Sequence, residues 1–517
     1  MSILLINPNL VVQRNDPMTT GVVYMPLALA SFAAALKLKH LHVDVIDAFG
    51  LAPFQARCQD KFLILGIDSN QIVQRIPEST RCIFLFANQV INHLSLVDIL
   101  RAIKGRFPDK ILGILENSQA VTAYSLTPVV DELFGHGADF AVIGDLEEGG
   151  VQVAQWLAAG QSWASIPDIP GILTPNKRHA SRGEVPDLDG LANPAWDLFP
   201  LENYWSLRFA HGPQTRARYL PLMTSRGCPY PCRFCVAPAT TGRRWRGRSA
   251  AKVVDEMVAC METFQVDEFH IEDLNPTVSD KRIREICTLI LQRKLKVSWK
   301  LVAGTKVESI KDGVTVRMMA EAGCDYISIS PESGAPEMLE AMHKPFKVHH
   351  ALEIIRHMGE NGIRSQACFV IGFPGEGPLQ RQKSFQLAHT LTQAGVDEIA
   401  IFMITPVPGS ELFTQVQGFK SLSDLNFTPV WRDDYAGLNR FRKKLYFAFL
   451  LWKLRYFPWK IARQCFNFFV RRRFETKMEM IPYRAMVWKW IGMRQCCKSR
   501  VGHAVPPDEE RSRHAAR

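Results

Sequence analysis

The sequence predicts an α/β protein with three parts: a doubly wound parallel sheet, a partial (β/α)6 barrel, and a basic, mostly helical C-terminal region. Three observations lead to this prediction. Strand-like and helix-like patterns alternate up to about residue 165, the same alternation returns between residues 219 and 420, and positive charge accumulates after residue 420. A chain of 517 residues is long enough for about three such units.

The N-terminal unit begins with an apolar strand at 2–6, which the turn-forming Asn7-Pro8-Asn9 brings to an end. Pro26 is suited to open the apolar helix predicted at 27–37. The remaining strands are predicted at 42–46, 82–87, 110–115 and 138–143, with a further helix at 95–107. Alternation at this pitch is typical of a doubly wound parallel sheet. We therefore assign 1–165 to this unit and 166–218 to a linker.

A short loop after the linker contains Cys228, Cys232 and Cys235 in a C-x3-C-x2-C array. Thiolates at this spacing can bind one face of an iron–sulfur cube and leave one of its irons without a protein ligand. An open position of this kind is where a substrate or cosubstrate can bind the metal. A structural zinc site needs a fourth ligand in a paired knuckle, and Cys260 and His270 lie outside any knuckle. The array therefore predicts an iron–sulfur cluster.

Residues 219–420 alternate in the manner of a β/α barrel. Helices are predicted at 251–263, 281–293, 314–322, 349–361 and 380–394, and strands at 267–271, 296–302, 325–330, 365–371 and 398–404. Polar or glycine-rich groups follow three of these strands, at 272–275, 330–334 and 372–376. Each group alone is compatible with an ordinary turn. Because catalytic groups gather at the C-terminal ends of barrel strands, we expect the site there.

The cysteine loop, with the aromatic Phe234 before its third cysteine, resembles the cluster loop of the radical SAM superfamily. In that family the open iron binds S-adenosylmethionine (SAM). Reductive cleavage of SAM gives methionine and a 5′-deoxyadenosyl radical, which abstracts hydrogen from an unactivated carbon. The resemblance therefore implies a 4Fe–4S cluster and SAM as cofactors, and a radical SAM enzyme.

The same resemblance implies the residues that contact SAM. Lys306 stands where many relatives have Arg, and a lysine does not reproduce the fork of an arginine. The implied contacts are Phe234 near the adenine, Asp273 near the methionyl amino group, Glu332 and Ser333 near the ribose and carboxylate, and Gly372, Pro374 and Gly375 near the adenine.

The N-terminal unit and the junction at 194–204 resemble the cobalamin-binding domain of one large radical SAM subgroup. The resemblance covers roughly residues 1–415 and implies cobalamin as a further cofactor. Two features depart from the subgroup: residues 113–117 are bulky where relatives carry a glycine pair, and the acidic loop at 144–148 is altered. The chain also has no D-x-H-x-x-G motif. A fold can survive such changes while its ligand is lost.

The C-terminal region, 421–517, is strongly basic. From residue 440 onward it contains 20 Lys and Arg against 5 Asp and Glu, a balance of +15, compared with +11 for the whole chain. Its longest apolar run, 445–452, is far shorter than the roughly 20 residues that span a bilayer. Three interpretations remain open: binding to an anionic membrane surface, packing on the barrel, and, least favoured, binding to nucleic acid. Residues 502–517 are predicted to be a disordered tail.

The twelve cysteines show no disulfide-like spacing, which favours a reducing cytoplasm. The pair Cys496 and Cys497 is interpreted as two ordinary thiols. Cys324 on a barrel strand is interpreted as a core residue. The role of Cys368, also on a barrel strand, stays open between a core residue and a residue of the active site.

Three functions are compatible with these features. In the first, the chain is a cobalamin-dependent methylase that acts on an unactivated centre of a biosynthetic, small-molecule or lipid-like substrate. In the second, it is a radical SAM cyclase, oxidase or other radical transferase with a degenerate N-terminal domain that binds no cobalamin. In the third, it is a non-catalytic iron–sulfur protein. The first two require an electron donor such as flavodoxin or ferredoxin. We expect the chain in the cytoplasm, peripheral to the inner face of the membrane if its basic region binds lipid.

Overall fold

The computed structural model describes residues 2–501, with side chains described up to residue 495. Strands and helices alternate in the N-terminal unit, as the sequence predicts. Its strands are β1 (Ser2–Asn7), β2 (Leu10–Gln13), β3 (His42–Asp47), β4 (Ala56–Gln59), β5 (Phe62–Leu65), β6 (Thr80–Ala87), β7 (Ile111–Glu116), β8 (Phe140–Val142) and β9 (Ile172–Leu173). Its helices are α1 (Leu27–Leu38), α2 (Ser69–Gln74), α3 (His93–Arg106), α4 (Val130–Gly135), α5 (Leu146–Ala158) and α6 (Leu201–Ser206).

The main sheet of this unit has the order β3-β1-β6-β7-β8-β9. All neighbouring strands are parallel except the edge pair β8 and β9. The strands are apolar on both faces because helices cover both sides of the sheet, and Ile3, Leu4, Phe84 and Leu85 are fully buried. The carboxyl ends of the parallel strands form one polar edge, which begins at Asn7 and continues after β6, β7 and β8.

Two features of the N-terminal unit were not predicted. The short strands β2, β5 and β4 form a separate antiparallel sheet. β4 and β5 are each four residues long and meet at a turn in which Asp60 has a φ of 48°. Strands this short carry too little alternation to be recognised. The acidic segment at 144–148, expected as a loop, instead begins helix α5.

The barrel strands are β10 (Leu220–Leu222), β13 (Glu268–Ile271), β14 (Ser298–Thr305), β15 (Cys324–Glu332), β16 (Arg364–Ile371) and β17 (Glu398–Met403), and a two-stranded ribbon joins β11 (Ser225–Arg226) to β12 (Arg246–Gly247). The helices are α7 (Ala237–Thr241), α8 (Ala250–Phe264), α9 (Asp280–Gln292), α10 (Gly313–Glu321), α11 (Pro336–Ala341), α12 (Val348–Glu360) and α13 (Pro378–Gln393).

The six barrel strands are parallel and follow one another in chain order, β10-β13-β14-β15-β16-β17. The sheet is open, since β17 and β10 are its two edges. This arrangement confirms the predicted fold class, a doubly wound sheet followed by a partial (β/α)6 barrel. The C-terminal ends of the barrel strands carry the three polar groups that the sequence singled out.

The C-terminal region is helical, with α14 (Tyr435–Tyr456), α15 (Pro458–Phe466) and α16 (Lys477–Val501). Helix α14 packs on α13, and α16 crosses to the N-terminal unit. Trp488 of α16 is fully buried, donates from Nε1 to the carbonyl oxygen of Gly21 at 3.1 Å, and meets Phe49 and Phe209 edge to face. Packing on the folded body is therefore a main role of this region. The predicted disordered tail, 502–517, lies outside the described residues.

No helix among the described residues is long and apolar enough to cross a membrane. The described cysteines include nine free thiols, among them Cys82 and Cys287, which are buried in the core. Cys58 on β4 is disulfide-bonded, which the spacing of the cysteines did not indicate. The side chains of Cys496 and Cys497 lie outside the described part of the chain.

Replacement of Trp488 tests whether α16 is part of the fold. We expect Trp488→Ala to lower the free energy of unfolding by about 3–5 kcal/mol, because it empties a buried aromatic site between two units. Trp490 on the same helix is half-exposed, so Trp490→Ala should change stability by no more than about 0.5 kcal/mol. Denaturant unfolding of both variants measures the difference, and equal stability of the two would contradict this role for α16.

Candidate active site

The cysteine loop begins directly after β11, at the C-terminal end of the barrel. Gly227 opens it with a φ of 81°, and a Cβ at this position would collide with the carbonyl group of Arg244. Cys232 is buried, and Cys228 and Cys235 are partly exposed. The Cys235 amide donates to the carbonyl oxygen of Cys232 at 3.1 Å, which curls the loop around its sulfur atoms.

Asp273 braces the segment that leads into this loop. Its buried carboxylate accepts hydrogen bonds from the Thr224 amide at 2.7 Å, from the Thr224 hydroxyl at 2.6 Å, and from the Ser225 hydroxyl. Arg282 binds the Thr224 carbonyl oxygen from the other side. Asp273 thus has a positioning role that the sequence did not indicate. Its predicted contact with the amino group of SAM stays a prediction.

A buried charge network ties the loop to the N-terminal unit. Arg226, two residues before the first cysteine, binds Glu147 through two hydrogen bonds of 2.9 and 2.7 Å and lies 3.1 Å from Asp145. Arg246 also binds Asp145 at 2.8 Å. Burial alone would lower the pKa of the Arg226 guanidinium, but attraction to Glu147 and Asp145 outweighs burial and raises that pKa above its ordinary value. The acidic segment 144–148 is therefore an anchor for the cysteine loop.

The donor set of the loop fits an iron–sulfur cluster. Three thiols from one short loop are the ligands that such a cluster takes. Burial raises the pKa of the Cys235 thiol to about 12, and the pKa values of Cys228 and Cys232 are raised for the same reason. The positive charge of Lys344 opposes this rise at all three cysteines. Among the described residues, no group of three or more His, Cys, Asp or Glu side chains is arranged to hold a single metal ion.

Lys344 connects the loop to the predicted SAM-binding residues. Its ammonium group forms a buried ion pair with Glu332 and lies 5.9 Å from the ring centre of Phe234. Glu332 has a φ of 61°, a left-handed conformation that is unusual for a residue with a side chain. The ion pair with Lys344 stabilises this conformation. The structure therefore brings Phe234, Glu332 and the cysteines together around one lysine.

Phe234 also packs into a small apolar cluster at the mouth of the barrel, formed with Met338, Met342, Val370, Phe373 and Ile404 among others. An aromatic ring in apolar surroundings beside the open end of β16 is suited to hold a flat heterocycle. This cluster is in the place where the resemblance puts the adenine of SAM, although the contact itself stays a prediction.

The other predicted SAM-binding residues lie on the turns after β15 and β16. Ser333 is fully buried, and its hydroxyl lies 3.2 Å from the Ser384 hydroxyl and accepts from the Ala335 amide. Gly372 has a φ of 78°, and its carbonyl oxygen accepts from Arg432 at 2.9 Å. Pro374 and Gly375 are exposed at the mouth. Ser333 and Gly372 thus help to hold the turns in place.

A second polar group lies between the two units, and the sequence singled out only one of its members, Glu272. Nδ1 of His211, in the linker, lies 2.7 Å from a carboxylate oxygen of Glu272. The ring of Tyr24 packs against the ring of His211 with centroids 4.5 Å apart and an interplanar angle of 34°. Burial lowers the pKa of His211, partly opposed by Glu272. Arg484 of α16 lies near Tyr24. Four distant segments of the chain meet here, so no local motif could have revealed the group.

Cys368 lies inside the barrel. Its thiol is 3.4 Å from the Ser328 hydroxyl and 3.5 Å from the side-chain oxygen of Gln366. Burial raises the pKa of this thiol to about 11, which keeps it protonated near neutral pH. Cys324 is buried at the start of β15, as expected of a core residue.

The polar edge of the N-terminal sheet faces the cysteine loop. The side-chain oxygen of Gln119 accepts a hydrogen bond from the backbone amide of Gly227 at 3.2 Å. The side-chain amide of Asn117 donates to the backbone carbonyl oxygen of Asn88 at 3.0 Å. Glu116 is fully buried in an ion pair with Arg182. The bulky segment 113–117 therefore fills part of the sheet edge with side chains of the protein itself.

Removal of one cysteine tests the cluster assignment. We expect Cys232→Ala to abolish the iron–sulfur absorption of the anaerobically reconstituted protein, because two thiols no longer hold the cluster. Cys465→Ala, which removes an exposed free thiol on α15, should leave absorption and iron content unchanged. Equal iron and sulfide content in the two variants would contradict the assignment.

The charge anchor can be tested in the same way. Glu147→Gln leaves Arg226 short of one buried partner, and we expect it to cost about 3 kcal/mol of stability and to lower the yield of assembled cluster. Glu148→Gln is the matched control, because Glu148 is partly exposed and its side chain accepts a hydrogen bond only from Gln152 among the described residues. Unfolding free energies and iron content compare the two, and identical values would exclude an anchoring role.

Comparison with known proteins agrees with this geometry. Residues 222–388 match the model of the radical SAM superfamily. A cytidylyl-2-hydroxyethylphosphonate methyltransferase from Streptomyces wedmorensis is 27% identical over 454 residues, which are 81% of this chain and 82% of that protein. An anaerobic magnesium-protoporphyrin IX monomethyl ester cyclase from Rubrivivax gelatinosus is 27% identical over 275 residues, or 52% of this chain and 46% of the cyclase.

Two solved structures share the whole two-unit fold. The radical SAM methyltransferase TsrM from Kitasatospora setae, solved with cobalamin and a 4Fe–4S cluster, matches with a TM-score of 0.60 at 18% identity over 80% of this chain and 77% of its own. The cobalamin-dependent SAM radical enzyme OxsB, solved with aqua-cobalamin, matches with a TM-score of 0.62 at 16% identity over 98% of this chain and 82% of its own. The match to the radical SAM superfamily thus covers residues 222–388, which contain the cysteine loop and most of the barrel.

Proposed function

We propose that this protein is a radical SAM methylase that uses cobalamin to methylate an unactivated centre of a small biosynthetic substrate. The observation that carries the proposal is the position of the cysteine loop. It lies at the mouth of the barrel and is bound to the N-terminal sheet edge through Gln119 and Arg226. The resemblance to a methyltransferase over four fifths of both chains supports the same reaction class.

In this proposal Cys228, Cys232 and Cys235 hold the 4Fe–4S cluster. When bound, the cluster supplies the electron that cleaves SAM into methionine and a 5′-deoxyadenosyl radical. Lys344 holds Glu332 at the mouth through its ion pair. The Glu332 carboxylate can then accept hydrogen bonds from the ribose hydroxyl groups of SAM. Phe234 and the apolar cluster around it exclude water from the adenine side. The contacts that the protein makes with the amino and carboxylate groups of SAM are inferred from the resemblance.

Cobalamin fits the polar edge of the N-terminal sheet. Asn88, Asn117 and Gln119 have side-chain amide groups there, and the Thr122 hydroxyl lies within reach of Tyr24. Amides and hydroxyls are the partners that the amide side chains of a corrin require. When bound, cobalamin supplies the methyl group that is transferred. TsrM and OxsB, which share the fold, were each solved with a cobalamin.

One observation favours the second function, a radical SAM cyclase, oxidase or other transferase without cobalamin. A Cβ on Gly113 would collide with the ring of Phe140, so the space beside β7 is occupied, and Arg182 covers Glu116 at the end of that strand. The side chains of Phe140, Arg182 and Glu116 occupy the place where, by the resemblance, the backbone of relatives comes close to the cofactor. The third function, a non-catalytic iron–sulfur protein, is supported by no feature of the site.

The His211–Glu272 pair lies between the N-terminal unit and the barrel. Burial keeps His211 neutral near pH 7, so its imidazole can accept a proton or a hydrogen bond from a substrate group. Glu272 fixes the ring through Nδ1. We assign this pair to substrate positioning, with a small, hydrogen-bonding substrate as the partner. The reaction also requires an external electron donor such as flavodoxin or ferredoxin.

The second partner that we propose is an anionic membrane surface, with which the protein associates peripherally. Helix α14 buries Leu445 and Phe449 but leaves Phe447, Leu451 and Leu454 at least half-exposed beside its basic residues. Exposed apolar groups next to Lys and Arg are typical of helices that lie on lipid surfaces. Such a protein stays on the cytoplasmic side, at the inner face of the membrane.

Metal analysis tests the proposed cofactors. The full chain is reconstituted with iron and sulfide under anaerobic conditions, supplied with hydroxocobalamin, and freed of unbound ligand. We expect about four irons and about one cobalt per chain, and transfer of label from methyl-labelled SAM to a product. Four irons without cobalt would overturn the methylase and favour the second function, whereas a full cluster that cleaves no SAM would favour the third.

A further inference from the structure

A cavity of about 660 Å3 opens at the end of the barrel opposite the cysteine loop. Asp325 and Arg364, which line it, stand at the starts of β15 and β16, whereas the loop lies at the strand ends. This cavity is therefore separate from the candidate active site. Its volume falls within the range of small-molecule sites.

Arginine dominates the charge of the cavity. Two carboxylates line it, but Glu475 is already bound by Arg364 at 3.0 Å and by Arg463 at 2.8 Å, and Asp325 is bound by Lys300 at 3.1 Å. The five arginines that line it, Arg216, Arg364, Arg463, Arg471 and Arg473, come from four separate segments of the chain. A cavity with this excess of guanidinium groups attracts anions, and phosphate most strongly.

Arg471 and Arg473 are the unpaired members of the set. Both are exposed, and neither has a carboxylate partner within the described part of the chain. Arg471 instead lies 5.3 Å from the ring centre of Phe466. Two guanidinium groups without counter-charges at the rim of one cavity leave their donors free for a ligand.

Three apolar side chains of the segment that lines the cavity are exposed on the protein surface, and we call them the apolar border. Phe466, Phe469 and Val470 are 48%, 73% and 65% exposed and lie in the segment that carries Asn467 and Arg471. A freely soluble anion has no apolar part that could contact such a border. A lipid presents both chemistries together, a phosphate beside acyl chains.

We propose that this cavity binds the phosphate headgroup of an anionic lipid, while Phe466, Phe469 and Val470 enter the apolar part of the bilayer. This inference extends the membrane association proposed above and does not depend on the reaction. It sets the arginine end of the barrel on the membrane and leaves the cysteine end turned away from it. Soluble phosphate esters share the headgroup chemistry, so the experiment must separate the two sources.

Vesicle binding by the full chain provides the test. Arg471→Gln/Arg473→Gln removes two exposed charges, and Lys311→Gln/Arg317→Gln removes two exposed charges at and beside α10 as the matched control. We expect the first pair to weaken binding to vesicles of phosphatidylglycerol and phosphatidylcholine about thirtyfold and the control pair to change it little. Phe469→Ala/Val470→Ala should also weaken binding, and vesicles of phosphatidylcholine alone should bind poorly.

Three results would overturn the proposal. The arginine variant binding vesicles as tightly as the control variant would exclude the cavity as the headgroup site. Unchanged binding by Phe469→Ala/Val470→Ala would exclude insertion of the apolar border. Inorganic phosphate that binds at the cavity and is lost in the arginine variant, without any binding to vesicles, would assign the site to a soluble anion. Iron content and melting temperature of every variant establish that it is folded, and these readings do not depend on SAM chemistry.

Discussion

The buried ion pairs of Arg226 are the interaction on which the site depends most. The cysteine loop is short and its three thiols need a fixed arrangement. The barrel holds the segment before the loop through Asp273, and it holds the loop itself where Arg233 donates to the carbonyl oxygens of Ala341 and Met342. Arg226 reaches across to Asp145 and Glu147, which belong to the N-terminal unit. Removing one partner from a buried pair is far more costly than the pair is stabilising, so the two units are coupled at the metal site.

The same coupling explains the layout of the rest of the chain. Because the N-terminal sheet meets the barrel at the cysteine end, His211 and Glu272 lie between the two units, where we propose that the substrate is positioned. The C-terminal helices complete the structure from the other direction, since α16 runs from the barrel to the N-terminal unit and buries Trp488 there. Residues 463–475 of the C-terminal region lie against the opposite end of the barrel, and the arginine cavity forms between them and the barrel.

The sequence predicted the regular elements and the cysteine loop because both depend on local patterns. Strand and helix periods and the spacing of Cys228, Cys232 and Cys235 are visible within a few residues. The roles of Lys344, Arg226 and His211 were missed, since each depends on contacts between segments that are distant in the chain. The segment 144–148 was misinterpreted for the same reason: its carboxylates suggested a modified cofactor loop, and only the folded structure places Arg226 against them.

The most direct test of the account is reductive cleavage of SAM by the reconstituted full chain. The protein is loaded with iron and sulfide without oxygen, reduced with dithionite, and given SAM, after which methionine and 5′-deoxyadenosine are quantified against the cluster content. We predict that both products form with the wild-type chain and with Cys465→Ala, and that neither forms with Cys232→Ala. A wild-type chain that holds a complete cluster and leaves SAM intact would contradict the account.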